Sequence, residues 1–514
     1  MRRLIRFEAM DRATRLRFPL CSYQSKHSQH CQNLLALLAF QFERQERPNP
    51  LQSRHIHTEI RRHVSSATLH LPETAGATQA QTSPSPEMPV ARAPLSCLPL
   101  TTLVRSYLIT TVSSLPVLLY PSLAALSFLT HAKSPLLSAD TNPLIRMALK
   151  KTLYAQFCAG ETAAEIKGTV AQLKEMGYAG VILGYAKEVV LEGRDAEALD
   201  ATLDCAEQDQ CNAEEIATWR NGNLATVRLA DKGDFVALKF SGAGRQALQK
   251  LLKGDVCGPE LEEATHTICR LAQERGVRLL FDAEQNAVQA AIDRWTMHFM
   301  RFYNQAGKGG ALVYGTYQAY LKDTPVKLVK HMDDARSGGF TLGVKLVRGA
   351  YLGSDPRHLM WPTIEETHAC YDGIAEGLLR RRWNKVLRGE GTMPEADLVL
   401  ASHNRQSVMR ARAIRDEQAG AGEGRIEMAY GQLMGMADNV SCELVQRAKE
   451  RREATKTKEV DVPQAFKYLV WGSVGQCSKY LLRRAQENRD AATRTAESRR
   501  ALGRELARRI GFVR

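Results

Sequence analysis

The eleven cysteines of this 514-residue chain never fall into a CxxC or CxxxC pair. That absence argues against a thiolate zinc ribbon or a disulfide-stapled scaffold and fits a reducing compartment; no metal-binding residues are singled out. Acidic residues are scarce at both ends: residues 1 to 66 carry 12 Lys/Arg against 5 Asp/Glu, and residues 491 to 514 carry 7 against 2. Most of the formal net charge of +14 therefore sits at the ends. The body between them is nearly neutral and lacks the basic surface that nucleic acid requires. A long unbroken hydrophobic run is missing too. Residues 103 to 132, LVRSYLITTVSSLPVLLYPSLAALSFLTHA, are long enough to span a membrane, but Pro116 and Pro121 interrupt them and Ser and Thr dilute them. Two short apolar helices, packed on the body or lying at a membrane surface, are expected instead.

What is present divides the chain. Residues 1 to 66 are rich in Arg, Ser and His and poor in acids, the composition of a mitochondrial transit peptide. Residues 67 to 102 read as a disordered Pro/Ser/Ala-rich linker and 103 to 150 as an apolar helical arm. Residues 151 to 492 form the main domain, and 493 to 514 a basic C-terminal tail. Within the main domain short apolar runs recur: AGVILGY (179 to 185), FVALKFSG (235 to 242), VRLLFDAE (277 to 284), ALVYGTYQAY (311 to 320), TLGVKLVRGAY (341 to 351), ADLVLASHN (396 to 404), IEMAYGQLMG (426 to 435) and FKYLVWGSVG (466 to 475). Helix-compatible stretches separate them. Eight β units in about 340 residues predict an α/β chain folded as a (β/α)8 TIM-type barrel with an N-terminal helical extension.

In such a barrel the chemistry sits where strands end. Those ends supply Lys239, Asp282 with Glu284, Gln318, Lys345 with Arg348 and Tyr351, His403 with Asn404, Leu433 and Tyr468, and the eighth unit then delivers Arg483 and Arg484. A loop carrying only incidental polar residues would not so readily place hydrogen-bonding side chains at successive carboxyl ends. The stretch KFSGAGRQAL matches the G-x-G-x-x-A dinucleotide fingerprint, but the next acidic strand end, Asp282, lies far beyond the roughly 20 residues a ribose-binding carboxylate requires. It reads as a barrel loop.

The motifs FDAE (281 to 284), TYQAYLKD (316 to 323), KLVRGAY (345 to 351), ASHN (401 to 404), QLMGMAD (432 to 438) and YLLRRAQENRD (480 to 490), with FCAGET at 157 to 162, closely resemble the proline dehydrogenase family, fungal mitochondrial type. The resemblance runs from about residue 103 to 492. It implies FAD-dependent oxidation of L-proline to Δ1-pyrroline-5-carboxylate, the first step of proline catabolism. Electrons would pass to a quinone at the matrix side of the inner mitochondrial membrane, where the protein would bind peripherally. By position, Arg483 and Arg484 match the pair that holds the proline carboxylate, with Lys239 as a third cation. Asp282, Tyr351, Leu433 and Tyr468 match pocket residues, and Glu487 the acid that braces Tyr351. Gln318, Lys345, His403 and Asn404 match flavin contacts, and Glu161 an acid that gates the site by pairing with Arg483. In the related family that oxidises hydroxyproline the residue at the place of Tyr468 is smaller, which implies a preference for proline here. Two departures stand out: Lys345 replaces an arginine common in bacterial members, and Val470 a proline. The alternative chemistry for a lysine at a barrel strand end is a Schiff-base lyase using Lys239.

Overall fold

The computed structural model describes residues 93–131, 134, 136–186, 205–307, 309–454, 460–490 and 492–511. The segment expected to be a transit peptide, and the expected linker up to residue 92, lie outside them. Eight strands close a barrel in chain order: β1 (Gly180–Tyr185), β2 (Phe235–Leu238), β3 (Arg278–Phe281), β4 (Val313–Gln318), β5 (Leu342–Val347), β6 (Ala396–Ala401), β7 (Met428–Leu433) and β8 (Ala465–Trp471). Every neighbouring pair is parallel, and β8 returns to pair with β1. Seven strands fall within the apolar runs of the sequence, and β8 begins one residue ahead of its run, at Ala465. Such runs suit a parallel sheet whose strands are covered on both faces.

The helices, in chain order, are α1 (Leu100–Ser114), α2 (Pro116–His131), α3 (Pro143–Leu149), α4 (Ala163–Met176), α5 (Cys205–Leu229), α6 (Arg245–Lys253), α7 (Pro259–Arg275) and α8 (Asn286–Tyr303). They continue with α9 (Thr324–Gly338), α10 (Ile364–Arg380), α11 (Arg405–Gly420), α12 (Asp438–Ala454), α13 (Val474–Asp490) and α14 (Ala492–Arg509). Local chemistry sets several of their starts. Thr363 and Glu366 form a reciprocal capping box on α10, and Asn404 caps α11 by accepting from Ser407 N.

The barrel interior is filled rather than hollow. Ile182, Phe235, Ala237, Leu280, Tyr314, Val399, Ala429 and Phe466 pack together inside it. Phe235 lies edge-on to Tyr314 and Phe466 at 5.6 and 5.1 Å between centroids. Arg278, the first residue of β3, stacks 3.7 Å over Phe235, so the amino end of the strands is plugged by aromatics and a cation. Polar side chains gather instead at the carboxyl ends.

The apolar arm is the expected pair of helices, broken at Leu115 and bent by 99°. No single described helix is long and apolar enough to cross a membrane, although α1 and α2 together have the length and composition. The arm packs inward on one side: α2 lies against α13 and α1 against α14. The linker stops earlier than residue 102. Pro94–Cys97 forms a 3-10 turn, and Leu95 and Leu98 are buried with Leu103, Cys442 and Leu502. Leucines in that spacing have apolar surface to bury against α12 and α14, which a purely polar linker would not. The basic C-terminal segment is helical, and Arg509 Nη2 donates to the carbonyls of Leu95, Ser96 and Leu98 at 2.8 to 3.2 Å.

Candidate functional site

Three strands meet in one hydrogen-bonded group, with Asp282 just past β3, Lys345 in the carboxyl half of β5 and Tyr468 at the middle of β8. Asp282, the residue after β3, stays in the ladder through its N–H to Leu238 O, which fixes its side chain at the rim. Lys345 Nζ of β5 donates to Asp282 Oδ1 at 2.5 Å, and Tyr468 OH of β8 donates to Asp282 Oδ2 at 3.1 Å. The Lys345 ammonium also lies 5.3 Å from the centre of the Tyr468 ring. Asp282 and Lys345 are only 8% and 7% exposed, so each charge depends on the other for compensation. Gly184 of β1 leaves the room: a Cβ there would come within 3.0 Å of the Tyr468 hydroxyl.

Gln318, the last residue of β4, spans two loops. Its Nε2 donates to Glu284 O at 3.3 Å and its Oε1 accepts from Ala350 N at 3.3 Å. The loop after β5 must pass close to Tyr320, and it does so at Gly349, whose φ is +145° and where a Cβ would sit 1.9 Å from the Tyr320 ring. Only glycine fits there. Tyr320 in turn donates to Asp355 Oδ2 at 2.5 Å, while Asp355 Oδ1 accepts from Asn286 N at the start of α8. Tyr351, half-buried, is carried on the loop held between these two anchors.

The neighbouring ends are tied by Arg348. Its guanidinium donates to His368 Nδ1, Ser402 Oγ and Ser407 Oγ at 3.1, 2.6 and 2.7 Å, and stacks 4.2 Å from the Tyr371 ring. His403 Nε2 accepts from Leu433 N at 3.1 Å, so that nitrogen carries no proton. This links the β6 and β7 ends. Asn404 serves as the α11 cap, with its amide nitrogen 3.5 Å from His368 Nε2. Lys239, half-buried after β2, accepts the Trp219 indole N–H at its carbonyl at 2.8 Å.

Arg483 and Arg484 stand on α13 beyond Tyr480, whose ring lies 6.0 and 5.1 Å from their guanidinium carbons. Arg484 is buried. Tyr480 and Leu481 belong to an apolar cluster that includes Leu126 of α2, Phe157, Val470 and Val474, with Tyr468 packed against it. Thus the arm backs the helix that bears the arginines, and the same cluster reaches the Tyr468 ring. The start of α13 is capped by two acids from the chain before β1: Val474 N donates to Glu161 Oε1 and Gly475 N to Asp140 Oδ1, each at 3.1 Å. Glu161 is held by Arg146 at 2.9 Å and Lys150 at 2.6 Å. Burial alone would raise its pKa, but those two cations and the Val474 N–H hold it below the usual carboxylate value. The Glu487 side chain lies outside the described residues.

The residues singled out in sequence therefore fall into a directly bonded set (Asp282, Lys345, Tyr468), a loop-tying set (Gln318, His403, Asn404) and an outer helix (Arg483, Arg484). Lys467 is an addition. It is buried beside Tyr468 and its Nζ donates to Met436 O and Asp438 Oδ1 at 3.0 and 2.8 Å, fixing the turn after Leu433. A lysine inside the apolar run FKYLVW was the available signal. The SGAG loop is a 3-10 turn, and Glu215 Oε2 accepts from Arg245 N at the start of α6. A carboxylate thus takes the place a dinucleotide phosphate would need.

Residues 166–497 match the family model described as proline dehydrogenase. The chain is 28% identical over 399 residues to the hydroxyproline dehydrogenase of Mus musculus, covering 70% of this chain and 82% of that protein. It is 27% identical over 415 residues to the probable mitochondrial proline dehydrogenase of Schizosaccharomyces pombe, covering 72% and 81%. Among solved structures, proline utilization A from Bdellovibrio bacteriovorus, inactivated by N-propargylglycine, aligns with a TM-score of 0.49 at 16% identity. That alignment covers 76% of this chain and 36% of the other, which is much the longer. A family match over well more than half the sequence, spanning all eight strands, establishes that the chain belongs to the proline dehydrogenase family.

Proposed function

We propose that this protein oxidises L-proline to Δ1-pyrroline-5-carboxylate with FAD, and that it works in the mitochondrion on the matrix face of the inner membrane. The observation that carries the reading is the buried Asp282–Lys345–Tyr468 group at the carboxyl end of the barrel, followed within the eighth unit by adjacent arginines on α13. The oxidation takes a hydride from carbon five of the ring and a proton from the nitrogen, leaving a C=N bond. Proline's carboxylate must be desolvated and oriented for that step, and two guanidinium groups, Arg483 and Arg484, offer paired donors that fix its plane. Lys239 adds a third positive charge. Tyr468, its hydroxyl already fixed by Asp282, would line the pocket with its ring, and Tyr351 and Leu433 would close other sides. Glu487 would brace Tyr351, and Glu161 would gate the entrance at the start of α13.

The donor set at the ends of β4, β5 and β6 fits a flavin. Gln318 offers an amide, Lys345 an ammonium with two N–H bonds beyond the one aimed at Asp282, and His403 and Asn404 an imidazole and a second amide. These groups complement the alternating polar edge of an isoalloxazine ring. FAD held there would supply the two-electron acceptor that couples imine formation to a membrane quinone. The arm supplies the surface for such a membrane: Leu108, Val117, Tyr120 and Phe128 point outward, Val117 being 85% exposed, and no acid occurs from residue 88 to 139.

The relatives carry both proline and hydroxyproline dehydrogenase names, so the substrate preference rests on Tyr468 filling the space a 4-hydroxyl would need. The test of the reading is the visible spectrum of the purified chain. A yellow flavin absorbance that bleaches on anaerobic addition of L-proline is expected. A folded protein that takes up no flavin on reconstitution, or one that borohydride and a carbonyl substrate label at Lys239, would overturn it.

A further inference from the structure

On the outer helical layer, α7 and α8 bring three metal-ligating side chains together that the proposed oxidation does not use. Glu262 Oε1 lies 2.9 Å from His298 Nε2 and 3.9 Å from His266 Nε2. The three ligand atoms are all within 4.8 Å of one another. Glu262 and His266 are four apart on α7 and so share a face, and His298 meets them from α8.

The surroundings orient these groups. Tyr303 OH donates to His266 O at 3.3 Å and lies 2.9 Å from His266 Nδ1. A hydroxyl has one hydrogen. With that hydrogen on the carbonyl, its oxygen accepts the Nδ1–H, and the Nε2 lone pair of His266 is turned toward Glu262. A partner on the far nitrogen that fixes tautomer and ring plane is the usual support of a metal-bound imidazole. Both imidazoles are also wedged edge-on against Phe299 and Phe302, at 5.0 to 5.3 Å between centroids. The cluster is open on one side: the side chains of His298 and Glu262 are 41% and 36% exposed, which leaves an entry path and room for a water.

We propose that Glu262, His266 and His298 form a metal site for a first-row divalent cation of the zinc class, with a water as fourth ligand. Two imidazoles and one carboxylate suit Zn2+ and its neighbours and not Mg2+ or Ca2+, which take oxygen ligands. On binding, the His298 ring changes tautomer: solvent takes the Nε2 proton and supplies one to Nδ1, which frees the Nε2 lone pair, and the carboxylate of Glu262 turns from hydrogen-bond acceptor to ligand. The ion then ties α7 to α8, the helix that follows the Asp282 loop. The absence of paired cysteines, which argues against a thiolate zinc site, does not bear on this donor set.

The test is calorimetric titration of the full, tag-free, chelator-treated chain with Zn2+, with Mg2+ alongside. The wild type is expected to bind one Zn2+ that is weakened by about tenfold or more in His298→Ala and in Glu262→Gln, and to ignore Mg2+. Cys211→Ser, which removes an exposed thiol, should bind as wild type does. Zinc should also raise the melting temperature of the wild type and not that of His298→Ala, with proline oxidation equal in the two metal-free proteins. No zinc binding, or zinc binding that survives unweakened in both His298→Ala and Glu262→Gln, would show the cluster to be a hydrogen-bonded contact only.

Discussion

At the scale of single residues, the sequence order of the barrel made the strand ends legible, because each apolar run stops at the same rim. What it did not reveal was which of those ends touch. Asp282 lies 63 residues before Lys345 and 186 before Tyr468, and no local spacing rule links them. Nor did it reveal that Asn404, at a strand end, has a helix cap to make. Two predictions belong here. Arg484→Met should lower kcat/KM for proline by about two to three powers of ten, because truncating a charge-assisted contact in a dry site costs on the order of 3 to 4 kcal/mol. Flavin absorbance should persist, and steady-state kinetics within about twofold of wild type would show that the buried Arg484 guanidinium does not hold the proline carboxylate. Tyr468→Ser should shift the ratio of kcat/KM for trans-4-hydroxyproline over proline upward, by a difference of roughly 1 to 3 kcal/mol. An unchanged ratio would mean that the substrate boundary is set elsewhere.

At the scale of elements, the alternation of apolar runs and helical stretches was readable because a buried parallel strand has nowhere to place a polar residue. The supports under those elements were not readable. Asp461, just before β8, accepts from Arg412 and, at 2.5 Å, from Arg415, all three being well buried. Burial would push its pKa up, but the two guanidinium groups hold it below the ordinary value. A depressed carboxylate contributes stability above its unfolded pKa and loses it as pH falls through the folded one. Asp461→Asn leaves Arg415 facing a neutral amide, while Arg412 keeps its second partner Asp416, and should destabilise the fold by about 3 kcal/mol at neutral pH. Denaturant melting at neutral pH would measure this. A loss under about 1 kcal/mol would show that solvent compensates the arginines.

At the scale of the whole molecule, charge location in the sequence separated a neutral body from basic ends, while the way the C-terminal one is used came only from the packing of α14 on α1. Stability should also carry a histidine signature. His331 on α9 is hydrogen-bonded to Tyr317 OH at 2.8 Å, and burial lowers its pKa. Its unfolded value is about 6.5, so the unfolded chain binds the proton more readily, and stability present above that pH declines as the solution is acidified. The melting temperature should fall from about pH 7.5 to 5.5, and less steeply in His331→Gln. Identical slopes in the two proteins would remove His331 from the account.

The grip of Arg509 on Leu95, Ser96 and Leu98 joins residues up to 414 apart. A ribosome makes the arm long before the residue that clasps it, so the described fold cannot close this seam until α14 has emerged. Until then, Leu95, Leu98 and Leu103 have no α14 to cover them. Truncation by even one or two helical turns at the C-terminus would therefore be felt first at the opposite end of the chain, as an arm that will not dock.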